Sequence, residues 1–355
     1  MTRDIFGDAP VRKRNFASDN NSGTCPEASA ILEEANHGHA PGYGDDAWTK
    51  RAIDGIRDLF EMDCEPFLVF NGTAANSLAL ASMCRPYHGI LCHRMSHVET
   101  DECAAPEFFS GGAKVIGLDG EACRLTPDSI EAAVTRREDV HFPKVQALSL
   151  TQATEVGTAY GIGDLANIAD SCKRNNLRLH LDGARFANAV AHLDVSPKEL
   201  IDASKADALS FGITKNGSPG GDAVVFFDKE LAREFAYRRK QAGQLASKMR
   251  YLAAPWVAML KDDLWLRNAR QANLIAEELR AKLAEIPEVS VLFPRQANSV
   301  FVDIPEKAQA PLKEKGWLFY VFIGKTGCRL MCSWDLKTED VDAFIDDLVD
   351  ALEKM

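Results

Sequence analysis

Hydrophobic positions along the chain recur with two alternating periods. Trp48, Ala52, Ile53, Ile56, Leu59 and Phe60 return at helical spacing, which predicts an amphipathic helix over 47–61. Apolar runs of strand length follow at 66–70, 90–92, 114–118, 145–150, 177–181, 207–211 and 223–227. Helix signals lie between several of them: a strongly helix-forming stretch at 77–84, one at 127–137 opened by Thr126 as cap and Pro127 in the first turn, and one at 163–174. This alternation predicts an α/β domain on a mostly parallel sheet. Residues 228–250 read as a basic, polar helix carrying Arg233, Arg238, Arg239 and Lys240, and Pro255 marks a change of character just beyond. A long helix at 263–285, strands near 289–293, 298–304 and 328–333, and a last helix at 338–353 predict a smaller α/β unit. The division is a flexible leader over 1–14, a large domain over 15–250 and a small C-terminal domain over 251–355.

Composition narrows the partners more than the fold. The 355 residues carry a formal charge of −11, which argues against nucleic acid or an anionic membrane as the main partner. Nine cysteines are scattered and never spaced Cys-x-x-Cys, so they read as free or buried thiols of a reducing compartment. Met1–Asn20 has no apolar signal core and no run reaches transmembrane length, which predicts a cytoplasmic protein.

Chemistry concentrates at the ends of the predicted strands. The strand 207–211 leads into Gly212-Ile213-Thr214-Lys215-Asn216-Gly217, where Lys215 is bracketed by glycines and has no charged neighbours. A partly desolvated amine there suits Schiff-base formation with an aldehyde cofactor, pyridoxal 5'-phosphate (PLP). In His180-Leu181-Asp182-Gly183-Ala184-Arg185, Asp182 stands at a strand's carboxyl end, where open α/β sheets place ligand groups. Its carboxylate suits a protonated pyridine nitrogen, and Arg185 suits a bidentate grip on a substrate carboxylate. The bland alternative is an Asp–Arg pair capping a strand end. The turn Gly72-Thr73-Ala74 opens a helix whose free amides favour a phosphate, with plain helix capping as the alternative. His93 and His97 have the spacing of a metal pair on a helix but lack a third ligand, so no metal is expected; His97 suits stacking on a cofactor ring and His93 a structural role. Arg329, in an apolar strand, requires an anion: either a buried carboxylate or the substrate's own.

Taken in order, these segments resemble the low-specificity L-threonine aldolases, a PLP-dependent family within the beta-eliminating lyase/threonine aldolase group. The resemblance is carried by Phe16-Ala17-Ser18-Asp19-Asn20, Tyr43-Gly44-Asp45-Asp46, Asn71-Gly72-Thr73-Ala74-Ala75-Asn76, Ser96-His97-Val98-Glu99-Thr100-Asp101-Glu102, the Asp182 and Lys215 motifs, and Arg329. It implies the aspartate aminotransferase-like fold type I of PLP-dependent transferases. It also implies retro-aldol cleavage of L-threonine, L-allo-threonine and related substrates such as phenylserine to glycine and an aldehyde. By the same resemblance Lys215 is the Schiff-base lysine, Asp182 the pyridinium partner and His97 the stacking ring and candidate base. Gly72 and Thr73 then hold phosphate, and Ser18, Arg185 and Arg329 hold the substrate carboxylate. Lys240 resembles a phosphate-side lysine supplied by a neighbouring subunit of a homotetramer. The sequence departs from the family where many relatives carry a second active-site histidine, here Thr154, and it leaves open whether Lys248 or Arg250 reaches phosphate. A beta-eliminating lyase or a racemase on the same scaffold is the alternative chemistry, and a non-catalytic subunit the alternative class.

Overall fold

A computed structural model describes residues 15–137 and 139–354; the leader expected over 1–14 lies outside them. Seven strands, β1 (Glu65–Val69), β2 (His88–His93), β3 (Lys114–Leu118), β4 (Lys144–Thr151), β5 (Arg178–Gly183), β6 (Ala208–Phe211) and β7 (Asp222–Phe226), form one sheet in the order β1-β7-β6-β5-β4-β2-β3. The pairs β2–β3, β2–β4, β4–β5 and β5–β6 are parallel, and β7 runs against both its neighbours. The sheet is therefore mostly parallel, as expected.

Its strands are apolar on both faces because helices cover both. Leu91, Leu148, Leu181, Leu209 and Val225 enter one core with Phe60, Phe186 and Trp256. The alternate residues Ile90, Ala147, Ala208 and Val224 enter a second core beneath the Gly72–Met83 helix. That helix is Ala-rich and buried nearly all round, which suits an element sandwiched between sheet and outer helices. It begins at Gly72, five residues ahead of the helix-forming run at 77–84, because the Asn71 side chain caps it by accepting from the Ala74 N–H at 2.9 Å. The basic segment at 228–250 is two short helices, Lys229–Ala232 and Phe235–Gln241, followed by a turn at Gly243, whose φ of 73° suits glycine.

A four-stranded antiparallel sheet follows, β10-β11-β9-β8, built from β8 (Ser290–Val291), β9 (Ser299–Asp303), β10 (Tyr320–Ile323) and β11 (Gly327–Met331). The helices Leu264–Leu283, Glu306–Glu314 and Thr338–Glu353 pack on it around Leu279, Val302, Leu312 and Phe344. Phe16 belongs to this core, stacked on Trp317 at 5.5 Å, whereas the Arg250–Leu260 helix belongs to the first. Among the described residues no helix is long and apolar enough to cross a membrane.

Candidate active site

The carboxyl ends of β4 and β5 meet the β10–β11 pair around a cavity of about 470 Å³. It gathers Ser18, Gly72, His97, Asp182, Arg185, Lys215 and Arg329 from six separate segments. Thr73 stands beside Gly72 in the first helical turn but outside the cavity wall, and Lys240 is elsewhere, its Nζ 4.6 Å above the Tyr43 ring.

Lys215 is held on a rigid turn, Thr214–Asn216, and not on a flexible loop. Asp222 accepts from the Ile213 and Thr214 amides at 3.0 and 3.3 Å and from the Thr214 hydroxyl at 3.0 Å. Asn216 donates to the Trp265 carbonyl at 2.6 Å, and Gly217 ends the turn at φ 101°, where an added Cβ would crowd Asn268, Cys25 and Trp334. The Lys215 amine has no hydrogen-bond or ion-pair partner among the described residues. Burial holds it below the usual lysine range, and the charge of Arg185 acts the same way.

Asp182 is buried at the end of β5 and accepts from Asn76 Nδ2 at 2.8 Å and from the Ala184 amide at 3.0 Å. The same Asn76 nitrogen donates to Glu102 at 2.7 Å, and Glu102 pairs with His97 Nδ1 at 2.9 Å. This hydrogen bond raises the His97 imidazole above its ordinary range, while burial raises the Glu102 carboxyl. His180, on the same strand, is fully buried between the Ser149 and Ser210 hydroxyls, both at 2.9 Å, and burial pushes it down to about 4, so it is neutral. His93 accepts from the Met95 amide through Nδ1 and meets the Gly120 carbonyl through Nε2, a structural role.

The two arginines differ. Arg185 is gripped bidentately by buried Asp19 at 2.8 and 2.9 Å; burial alone would raise the Asp19 carboxyl, and Arg185 outweighs it. Arg329 donates only to the Ala17 carbonyl at 3.2 Å, its Nε is buried without a partner, and the Tyr320 and Phe322 rings lie 5.4 and 5.3 Å from its guanidinium. Among the described residues no carboxylate forms an ion pair with it, although the charges of Asp19 and Asp101 reach it.

Thr154 faces away from the cavity. Its hydroxyl shares a 2.7 Å hydrogen bond with Thr158, and its neighbours Ala153 and Glu155 line the wall instead. Glu155 accepts from the His97 amide at 3.0 Å and from the Thr151 hydroxyl at 2.8 Å, and burial pushes its carboxyl up to about 7. Asp19 and Glu155 lie beyond residue-by-residue reading, because their partners Arg185 and His97 are distant in sequence.

The donor set fits PLP. A half-buried amine with no hydrogen-bond or ion-pair partner among the described residues, a buried carboxylate, an imidazole and helix-start amides converge on one cavity, and the Arg329 guanidinium, its Nε unpartnered, stands in its wall. Comparison with known proteins agrees. Residues 15–307 match the beta-eliminating lyase family. A low specificity L-threonine aldolase of Pseudomonas sp. is 54% identical over 91% of this chain and 94% of its own. That of Pseudomonas aeruginosa is 55% identical over 92% and 95%. The threonine aldolase structure of Leishmania major superposes with a TM-score of 0.89 at 26% identity, over 95% of this chain and 99% of that one. The chain belongs to the beta-eliminating lyase family, among its low-specificity L-threonine aldolases.

Proposed function

We propose that this chain cleaves L-threonine and related L-β-hydroxy-α-amino acids to glycine and an aldehyde, with PLP joined to Lys215. The observation that carries the reading is the Lys215 amine, without a hydrogen-bond or ion-pair partner among the described residues, in one cavity with Asp182 and Arg329. When bound, PLP supplies an electron sink for the pair of electrons left on Cα when the Cα–Cβ bond breaks.

The residues divide the remaining work. Lys215, whose charged form burial disfavours, would supply the amine that exchanges with the substrate's own. Asp182, fixed by Asn76 and the Ala184 amide, holds a proton on the ring nitrogen. His97 would stack on the ring of the bound cofactor, and its link through Glu102 and Asn76 to Asp182 fixes the orientation of the imidazole. Gly72 and Thr73 direct helix-start amides at the phosphate. Arg329, with Ser18 and Arg185 beside it, takes the substrate carboxylate and so orients the amino acid. The assembly proposed is a homotetramer in which Lys240 of a neighbouring copy reaches the phosphate side; its position outside its own chain's cavity supports this. Nine free cysteines support a cytoplasmic location.

The test uses purified protein with L-threonine. The wild type is yellow and yields acetaldehyde with glycine, whereas Lys215→Ala is colourless with cleavage down at least a thousandfold, on the order expected when the nucleophile is removed. Pyruvate and ammonia as products, or undiminished cleavage by Lys215→Ala, overturn the reading.

A further inference from the structure

Cleavage requires a group that accepts the proton of the substrate's β-hydroxyl, and the cavity wall offers few. Asp182 is engaged by Asn76 and the Ala184 amide. Asp101 is exposed and accepts from Thr100. Thr154 is turned away, and Ala153 carries no proton-accepting group. His97 is tied through Nδ1 to Glu102 at 2.9 Å, a hydrogen bond that raises its imidazole above the ordinary range and holds its ring in the stacking position.

Glu155 is placed differently. Its Oε1 is anchored twice, by the Thr151 hydroxyl at the end of β4 and by the His97 amide, so the carboxyl cannot swing away from the stacking histidine. Its Oε2 is buried and has no hydrogen-bond partner. A buried carboxylate oxygen left unpaired is costly unless a ligand or a proton completes it. We propose that Glu155 is the catalytic base of this enzyme: its Oε2 accepts the β-hydroxyl proton of the bound substrate. The assignment rests on the aldolase reading above.

The step balances. The O–H proton passes to Glu155, the O–H electron pair becomes the second bond of the aldehyde C=O, and the Cα–Cβ pair stays on Cα. Glu155 then releases its proton to solvent, Cα gains one from a different donor, and glycine leaves with the Glu155 carboxylate restored. The charged and titratable groups about Glu155 tune it to this cycle. Asp182 raises its proton affinity, Arg185 is a nearby cation, and Cys92, Cys123 and Tyr160 approach from the packed side. Burial brings the carboxyl to about 7, where a base can both take and return a proton near neutrality.

The experiment compares wild type with Glu155→Gln and Glu155→Asp in three ways. First, L-threonine cleavage by the holoenzyme is followed against pH. The wild type loses kcat below about pH 7 on a single ionisation, Glu155→Gln falls roughly a hundred- to ten-thousandfold and loses that limb, and Glu155→Asp recovers part of both. Second, the exchange of glycine's α-proton into deuterated water needs Lys215, Asp182 and the cofactor but no hydroxyl proton, so Glu155→Gln keeps it within about threefold. Third, infrared difference titration of the apoprotein shows a carboxyl losing its proton near neutrality in the wild type and not in Glu155→Gln. Equal losses of cleavage and exchange would mean a merely structural role. Unchanged cleavage in Glu155→Gln, or a wild-type carboxyl that does not titrate near neutrality, also overturns the proposal, and the last holds even where a variant fails to fold. Wild-type protein that exchanges glycine but yields no aldehyde would instead defeat the aldolase reading itself.

Discussion

Three carboxyl groups, Glu102, Glu155 and Asp182, stand around His97, and the charge of Asp182 makes those of Glu102 and Glu155 more costly. Glu102 and Asp182 share the Asn76 amide, while Glu155 feels burial first and then Asp182. Glu155 has a consequence for folding that is separate from catalysis. Its carboxyl moves from 4.5 in the unfolded chain to about 7 in the folded one. A raised acid binds more protons when folded, so its favourable contribution is complete below about pH 4.5 and is lost as pH rises through 7. Glu155→Gln, which cannot ionise, is predicted to match the wild-type apoprotein near pH 5. It should exceed it above pH 8 by at most about 3 kcal/mol, an upper figure set by the size of the shift. Urea unfolding at the two pH values measures the difference. A variant less stable than wild type at both would show that the hydrogen bonds to Thr151 and the His97 amide outweigh the titration.

At the scale of elements, the phosphate side depends on how one helix starts. Asn71 caps the Gly72–Met83 helix, and its side chain satisfies the Ala74 amide so that those of Gly72 and Thr73 remain for an anion. Asn71→Ala is predicted to cost about 1 kcal/mol of apoprotein stability and to weaken PLP binding several-fold. Spectrophotometric titration of apoprotein with PLP measures the second effect, and unchanged affinity would remove Asn71 from the phosphate site. That helix also marks the limit of sequence reading. The strands of the large sheet were legible within a residue or two, because runs such as Val145–Leu150 are apolar on both faces and bounded by turn residues. The helix start was not, because a side-chain cap and not helix propensity fixes it. β10 was missed because Tyr320–Ile323 is exposed along its length and lies at a sheet edge, with no alternation to mark it. Lys215, Asp182, His97 and Arg329 were visible through their local motifs. Asp19 and Glu155 were not, since one meets Arg185 from 166 residues away and the other meets His97 from 58.

Across the whole molecule, residues 15–19 tie the two sheets together through the cavity. Phe16 stacks on Trp317 and meets Phe344 edge-on at 5.2 Å. Its amide donates to the Leu318 carbonyl at 2.9 Å, and its carbonyl accepts from the Met331 amide at 2.8 Å, so the strap is bonded to the small sheet next to β10 and β11. Three residues on, Asp19 crosses to Arg185, just past the end of β5, and accepts from Asn298 at 3.0 Å. Ser18 and the Ala17 carbonyl that Arg329 contacts ride on the same strap. The groups proposed for the substrate carboxylate therefore depend on the anchorage of Phe16. Lys215, Asp182 and Gly72 belong to the large sheet and its cores and do not. Phe16→Ala opens a cavity in the core of the small sheet and should cost about 3–5 kcal/mol in urea unfolding. The kinetic prediction is asymmetric: KM for L-threonine rises at least tenfold, while the apparent Kd for PLP changes by less than about threefold, because only the substrate side loses its support. Parallel loss of both affinities would mean that the two cores act as one unit, and that the strap does not selectively position the carboxylate site.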